Sequence, residues 1–374
     1  MLDPLNLTAK ISALIDYLTS AQREDGSFRT LQRFHFEAVM TGPQTEFKGW
    51  YESEGSLWAS SVILYHLSNL KDARLAEMKN RGCNYLETTI EHGLARFIPS
   101  NKNRIFLTDA DDTALVYAAL RRNGREATCN ETIFLANQND EGSFYTWFVP
   151  RFKHLKRPGT FIWLTNDYLK TLFGYVRYFG NFKWRLKSLM NNFLWVITTL
   201  ITIFKEFQFA LEPAVNANAL LYFGVTEDTR RCLNTMIDQV KSGNFSVQYY
   251  PDRLSVYFQI ARLHQSGLQE IGQLRGQITA YIQEQAKNLI ETDQALDIAL
   301  GCLGLMYFDD WENPLLTEMI DYLADHSMHA SVWQPFSGCN NIGNTVNFGA
   351  PELTAFFFLE ALSRYVDHHK KPTG

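Results

Sequence analysis

Three phrases of one form recur along the chain and restrict its architecture more than any other feature. Gln22-Arg23-Glu24-Asp25-Gly26-Ser27-Phe28, Gln138-Asn139-Asp140-Glu141-Gly142-Ser143-Phe144 and Gln239-Val240-Lys241-Ser242-Gly243-Asn244-Phe245 all read Q-x3-G-x-F, and Ser327–Trp333 reads as a degraded fourth copy. A glycine just past a helical pattern suits a helix end followed by a turn, and the aromatic two residues on is tucked back into the structure. The glutamine is placed to tie the turn to a neighbouring helix end. Staples repeated in this way predict a repeated helical unit.

The hydrophobic pattern supplies that unit. Six apolar helix patterns open on polar or acidic clusters, near Ser53–Trp58, Thr108–Asp109, Glu212–Asn216, Pro251–Arg253, Thr292–Gln294 and Ala350–Glu352. Amphipathic patterns lie between them, at 73–89, 126–136, 227–240, 268–287 and 313–326. A helix apolar all round is buried, whereas one with a polar stripe keeps a face in water. No sustained two-residue alternation flanked by hairpin turns occurs, so the chain reads as all-α. The alternation predicts two concentric layers closed in an (α/α)6 toroid, or barrel, of inner and outer helices, with the inner N-termini gathered at one end. The expectation is one toroid domain over 1–374.

One interval breaks the rhythm. The second and third openings lie about twice as far apart as the others, which marks an inserted helical segment at about 150–208, beyond ordinary loop lengths. From Tyr168 to Lys205 it carries no acid, six basic residues and many aromatics, and Phe193–Phe204 is almost wholly apolar. That run falls short of the roughly 20 residues that span a bilayer. Basic groups, rings and a short apolar helix together suit a monotopic membrane face through 168–205; a buried helix with a solvated basic flank is the plainer alternative.

Composition narrows the function classes. The formal net charge of -5 argues against a nucleic-acid partner. Five unpatterned cysteines read as reduced thiols, and the first residues carry neither a basic nor an apolar leader region, so the expected place is the cytoplasm, with peripheral contact at the membrane's cytoplasmic face. Aromatics make up 14% of the chain, which means core or a cavity walled by rings.

Thr108-Asp109-Ala110-Asp111-Asp112-Thr113-Ala114 sets three carboxylates within four positions at the start of the second apolar helix. Thr108 is a good N-cap, and acids in a first turn suit the helix dipole. Capping uses one or two acids, however, and three crowd each other. Crowding beside an apolar cavity raises at least one pKa, and the cluster titrates as a unit. Asp109 and Asp112 share a helix face and Asp111 points elsewhere, a geometry that provides one donor and two supporters.

Asp109-Ala110-Asp111-Asp112-Thr113-Ala114 resembles the D-x-D-D-T-A motif of class II terpene cyclases, the squalene–hopene cyclase group. The Q-x3-G-x-F turns resemble the QW motifs of that superfamily, and Phe348-Gly349-Ala350-Pro351-Glu352 resembles the start of its last inner helix. The resemblance implies an (α/α) toroid and a proton-initiated, carbocationic cyclisation of a linear isoprenoid. It implies Asp111 as proton donor, with Asp109 and Asp112 supporting it. It also implies no cofactor and no metal: protein prenyltransferase β-subunits share the toroid and need an Asp, Cys and His set for zinc, but no D-x-C occurs here. Squalene–hopene cyclases pair two toroids and this chain has one, so a second copy of the chain or a partner subunit is the expected replacement.

A carbocation needs dry, electron-rich walls. Trp58, Tyr117, Tyr222, Phe223, Phe348 and Phe356 lie on or beside inner-helix patterns and are candidate ring faces, with plain core as the alternative for each. Asn216 and Asn218 are candidates to hydrogen-bond the acid or to cap the third inner helix. Two rival readings stand beside the cyclase. One is a non-catalytic toroid that binds a hydrophobic ligand or completes a partner's cavity. The other is an (α/α) glycosidase, which needs a polar cleft that so aromatic a chain does not suggest.

Overall fold

In the computed structural model, residues 4–34, 45, 49–53, 55–99, 106–156, 158–180, 211–245, 250, 252–327, 329, 339–340 and 346–370 are described. Six helices are buried along nearly their whole length: α2 (Trp58–Leu67), α4 (Ala110–Arg122), α7 (Pro213–Phe223), α9 (Arg253–Gln265), α11 (Ala295–Tyr307) and α13 (Pro351–His369). Each packs on the next, and α13 returns to α2, so the six close into a ring. Outside them lie α1 (Pro4–Ala21), α3 (Leu75–Thr89), α5 (Glu131–Leu135), α8 (Arg230–Ser242), α10 (Arg275–Glu291) and α12 (Pro314–His326). The pattern difference accounts for the layering. In α8 the buried residues are Cys232, Leu233, Met236, Ile237 and Val240, one helical stripe, while α11 is buried from Ala295 to Tyr307 except at Asp297. The fold is the all-α toroid that the alternation predicts.

The Q-x3-G-x-F turns join the layers. Gln22 donates through Nε2 to the Gly26 carbonyl and to the Met78 carbonyl of α3, both at 2.9 Å. Gly26 has φ +90° and lies so close to the Arg81 carbonyl that a Cβ would stand 2.2 Å from it. In the second copy Gln138 donates to the Asp228 carbonyl just ahead of α8, and Gly142, also at φ +90°, packs on Arg231. In the third, Gly243 is the left-handed C-cap of α8. The fourth copy lies largely outside the described residues.

A small sheet departs from the all-helical expectation. β1 (Leu31–Phe34), β2 (Trp50–Glu52), β3 (Cys339–Asn340) and β4 (Val346–Gly349) form an antiparallel sheet in the order β2-β1-β4-β3. Strands of two to four residues are too short to show an alternation. The sheet stands beside the N-termini of α2 and α13, which β2 and β4 lead into. Of the inserted segment, α6 (Pro158–Gly180) is described, whereas Phe193–Phe204 lies outside the described residues. No described helix is long and apolar enough to cross a membrane.

Candidate active site

The acid stretch opens α4. Its N-cap is Asp109, one residue later than Thr108, because an extended Asp109 (φ −140°, ψ 162°) turns its carboxylate onto the backbone N–H of Asp112 at 2.7 Å. Thr108 donates to Asp167 of α6 instead, at 3.2 Å. Asp167 also receives Arg96 Nη2 at 3.0 Å, and both side chains are buried. This buried ion pair fastens the inserted helix to the residue that precedes the acids.

The three carboxyls have different surroundings. Asp109 and Asp112 are buried, and Asp109 Oδ2 has no hydrogen-bond partner among the described residues. Burial, followed by the charge of Asp112, drives the Asp109 pKa well above the usual carboxylate range. Burial likewise pushes Asp112 to about 7. Both hold a proton under conditions where an exposed aspartate is ionised. Asp111 faces away from this pair and keeps some accessible surface. Asn218 of α7 donates through Nδ2 to its Oδ1 at 2.5 Å, and the Tyr250 hydroxyl donates to Oδ2 at 2.6 Å. Burial raises the Asp111 pKa, and the bonds from Tyr250 and Asn218, with the Arg262 charge beyond them, draw it partly back.

The geometry therefore gives one anchored carboxyl, its pKa raised by burial, at the N-terminus of an inner helix. Each Asp111 oxygen is fixed by one donor, which leaves its remaining acceptor or O–H direction for a substrate. Two buried acids behind it, on the same first turn, supply the crowding. That arrangement can deliver a proton from a defined direction without metal participation in the transfer itself.

Several of the candidate residues do not join Asp111. Asn216 accepts from the Phe144 backbone N–H at 2.7 Å and donates to the Glu212 carbonyl, so it holds the second Q-x3-G-x-F turn. Tyr117 donates to the Thr128 carbonyl and Tyr222 to Glu131, both toward the outer layer. Phe223 packs against Phe134 and Phe144. All three rings touch the outer layer, and none of these contacts is to Asp111. Helix periodicity placed them on inner helices without saying which side they face. Phe356 is fully buried beside His66 in the middle of the ring. Trp58 opens α2, and Phe348 of β4 stacks edge-on with Phe97 at 4.5 Å; these two lie at the N-terminal end, as the acids do.

Sequence reasoning missed Tyr250, Phe97, Phe106, Arg262, His66 and Glu360. Phe97 adjoins both Phe106 and Phe348. Arg262 and Glu360 carried a usable signal, a charged residue inside an otherwise apolar inner-helix pattern, since burying a charge is costly unless it is paired. Tyr250 sits in a loop and gave none.

No family model matches the chain, and no curated protein matches it either. Solved structures do. A type II terpene cyclase MstE variant from Scytonema, in complex with geranylgeranyl dihydroxybenzoate as substrate, superposes with TM-score 0.58 at 11% identity, covering 97% of this chain and 98% of that one. Another MstE variant, in complex with merosterolic acid A as product, gives TM-score 0.60 at 13% identity with the same coverage. A crystal structure of a protein from Actinoplanes gives TM-score 0.60 at 12% identity, covering 96% of this chain and 99% of that one. The fold is thus that of a type II terpene cyclase. Those chains are matched almost end to end.

Proposed function

We propose that the chain is a class II-type terpene cyclase, which protonates a linear isoprenoid or isoprenoid derivative and lets the carbocation close into rings. The observation that carries this reading is the Asp111 carboxyl, fixed on both oxygens by Asn218 and Tyr250 at the mouth of the ring and backed by two buried acids. Asp111 gives the proton to an alkene carbon, or to an epoxide oxygen whose C–O bond then opens, and Asp109 and Asp112 keep the cluster short of full ionisation. The α4 N-terminus then stabilises the Asp111 carboxylate left behind. Trp58, Phe97, Phe106 and Phe348 provide ring faces at that end, each contributing about 1–2 kcal/mol to a desolvated cation. No metal or cofactor enters the scheme. Residues in this arrangement favour catalysis over passive ligand binding, since a binder has no use for three crowded acids.

The solved structures of this fold supply a first substrate to test. MstE binds geranylgeranyl dihydroxybenzoate, and a prenyl chain attached to an aromatic head is the first compound to try here. Incubation of the purified chain with that compound, and with isoprenoid alcohols, diphosphates, squalene and their epoxides, is read by mass spectrometry and NMR. A cyclised isomer is expected from the wild type and none from Asp111→Asn, with the fold intact by circular dichroism. Full turnover in Asp111→Asn refutes the reading. The proposed setting is the cytoplasmic face of a membrane, contacted through the inserted segment. Four large hydrophobic side chains are exposed among the described residues, and all four, Leu155, Ile162, Leu169 and Phe173, lie on α6 or just before it.

A further inference from the structure

A column of buried polar groups descends from Asp111 through the middle of the ring, where the inner-helix pattern calls for apolar packing. Asn218, which donates to Asp111, receives Arg262 Nη2 on its own Oδ1. Arg262 is fully buried on α9. Its Nη1 lies 3.4 Å from His66 Nε2 on α2, and its guanidinium lies over the Tyr65 ring at 5.0 Å. Arginine only donates, so His66 Nε2 accepts and Nδ1 carries the hydrogen. That assigns the tautomer: Nδ1 donates to the Tyr307 hydroxyl at 3.1 Å and lies 2.9 Å from Glu360 Oε2 of α13. Glu360 Oε1 receives Tyr307 at 2.9 Å, Arg364 at 2.8 Å and Asn69 at 3.0 Å. Burial pushes the Glu360 carboxyl up, yet His66 and Arg364 more than offset that and hold it below its usual range. Burial pushes His66 down to about 4, so the imidazole is neutral and the charge on Arg262 is not duplicated beside it.

The column solves one problem for Asn218. A primary amide can rotate, and either end of it could meet a carboxyl. With Arg262 fixed beneath, the Asn218 oxygen must face the guanidinium and its NH2 must face Asp111. From the geometry we infer that Arg262, acting through Asn218, is a positioning residue that locks the Asp111 carboxyl in one orientation and sets how readily it releases its proton. This rests on the cyclase reading for its catalytic meaning and on the hydrogen bonds alone for its physical content. The charged and titratable groups that interact with Asp111 are Asp109 and Asp112 behind it on the same turn, Tyr250 ahead of α9 and Arg262 within α9, with the neutral Asn218 on α7. Arg262 is the one cation in that set. Removing it makes Asp111 a weaker acid.

The test reads protonation without substrate. The infrared carboxyl band that disappears in Asp111→Asn is followed against pH in the wild type and in Arg262→Gln, Arg262→Lys and Asn218→Ala. Arg262→Gln keeps an amide donor and loses the charge; its midpoint is expected to rise by roughly one pH unit. Arg262→Lys, which keeps the charge, stays near the wild type. Asn218→Ala, which removes a donor to the carboxylate, moves upward as well and serves if Arg262→Gln does not fold. Midpoints unmoved in both Arg262→Gln and Asn218→Ala overturn the proposal, as does an equal rise in Arg262→Lys and Arg262→Gln, which assigns the effect to packing. Because no turnover is involved, a cyclase assay that fails at Asp111→Asn bears on the functional reading and leaves this one to be judged separately.

Discussion

Asp109 accepts the backbone N–H of Asp112 at 2.7 Å, so two of the three acids of the motif lean on each other while Asp111 turns to Asn218 and Tyr250. The division of labour is built by one helix turn. An N-cap carboxylate reaches the N–H three residues on, which draws Asp109 and Asp112 together and leaves the residue between them to point across the ring.

The pair makes stability depend on pH in a definite direction. Folded Asp112 keeps its proton up to about pH 7, whereas in the unfolded chain an aspartate loses it near pH 4. Between those values the folded state binds more protons than the unfolded one, so the contribution is fully present on the acid side and is lost as pH rises through the window. Asp109, raised in the same sense, adds to it. Asp112→Asn carries no proton to lose. Its melting temperature should vary less between about pH 5 and pH 8, and at the upper end it should be the more stable protein by roughly 1–3 kcal/mol. Thermal melts across that range check this; parallel curves for the two proteins would count against a buried, protonated Asp112.

Tyr250 contributes one hydroxyl to Asp111, and Tyr250→Phe removes that and little else. The lost hydrogen bond stabilises the carboxylate formed when the proton leaves, so donation slows by about tenfold, the equivalent of one charge-assisted bond. The expected result is a lower kcat on the cyclised substrate with KM and melting temperature close to those of the wild type. A rise in KM alone, with kcat unchanged, would place Tyr250 in substrate binding.

Two asparagines show how much was legible in the sequence. The repeated turns and the alternation of apolar and amphipathic helices were enough for a two-layer toroid, because burial of whole helices leaves a periodic trace. The acids were legible because three of them exceed what a helix cap requires. Asn216 and Asn218, two residues apart on α7, were indistinguishable. In three dimensions they sit some 200° apart around the helix, one on the turn at Phe144 and one on Asp111. Side-chain direction within a helix that is buried all round leaves no hydrophobic trace. Asn216→Ala should lower stability by roughly 1–3 kcal/mol, because it leaves a buried backbone N–H without its acceptor, while the folded fraction keeps its turnover. Asn218→Ala should lose turnover. Activity per folded molecule, with the folded fraction taken from circular dichroism, separates the two; equal loss in both variants would contradict the assignment.

The inserted helix is held to the acid motif at one end and presents an apolar face elsewhere. Arg96 and Asp167 form a buried pair at 3.0 Å, with Thr108 on the second Asp167 oxygen. Arg96 Nη2 also holds Glu91 at 3.0 Å, so Asp167→Ala leaves the guanidinium one carboxylate and should cost roughly 1–3 kcal/mol, the value of a lost charge-assisted hydrogen bond. Elsewhere on α6, on either side of Asp167, Ile162 is 67% exposed and Phe173 69%, with Lys170 exposed three residues before Phe173. Exposed rings and aliphatic chains beside a cation suit the headgroup boundary of an anionic bilayer. Flotation with vesicles of mixed phosphatidylcholine and phosphatidylserine should carry the wild type upward, and neutral vesicles should carry less of it. Ile162→Asp combined with Phe173→Asp should abolish flotation and leave the melting temperature unchanged, since neither side chain is packed in the core. Wild-type protein that stays at the bottom of the gradient with both vesicle types would remove the membrane from the scheme and leave α6 as a buttress for Thr108.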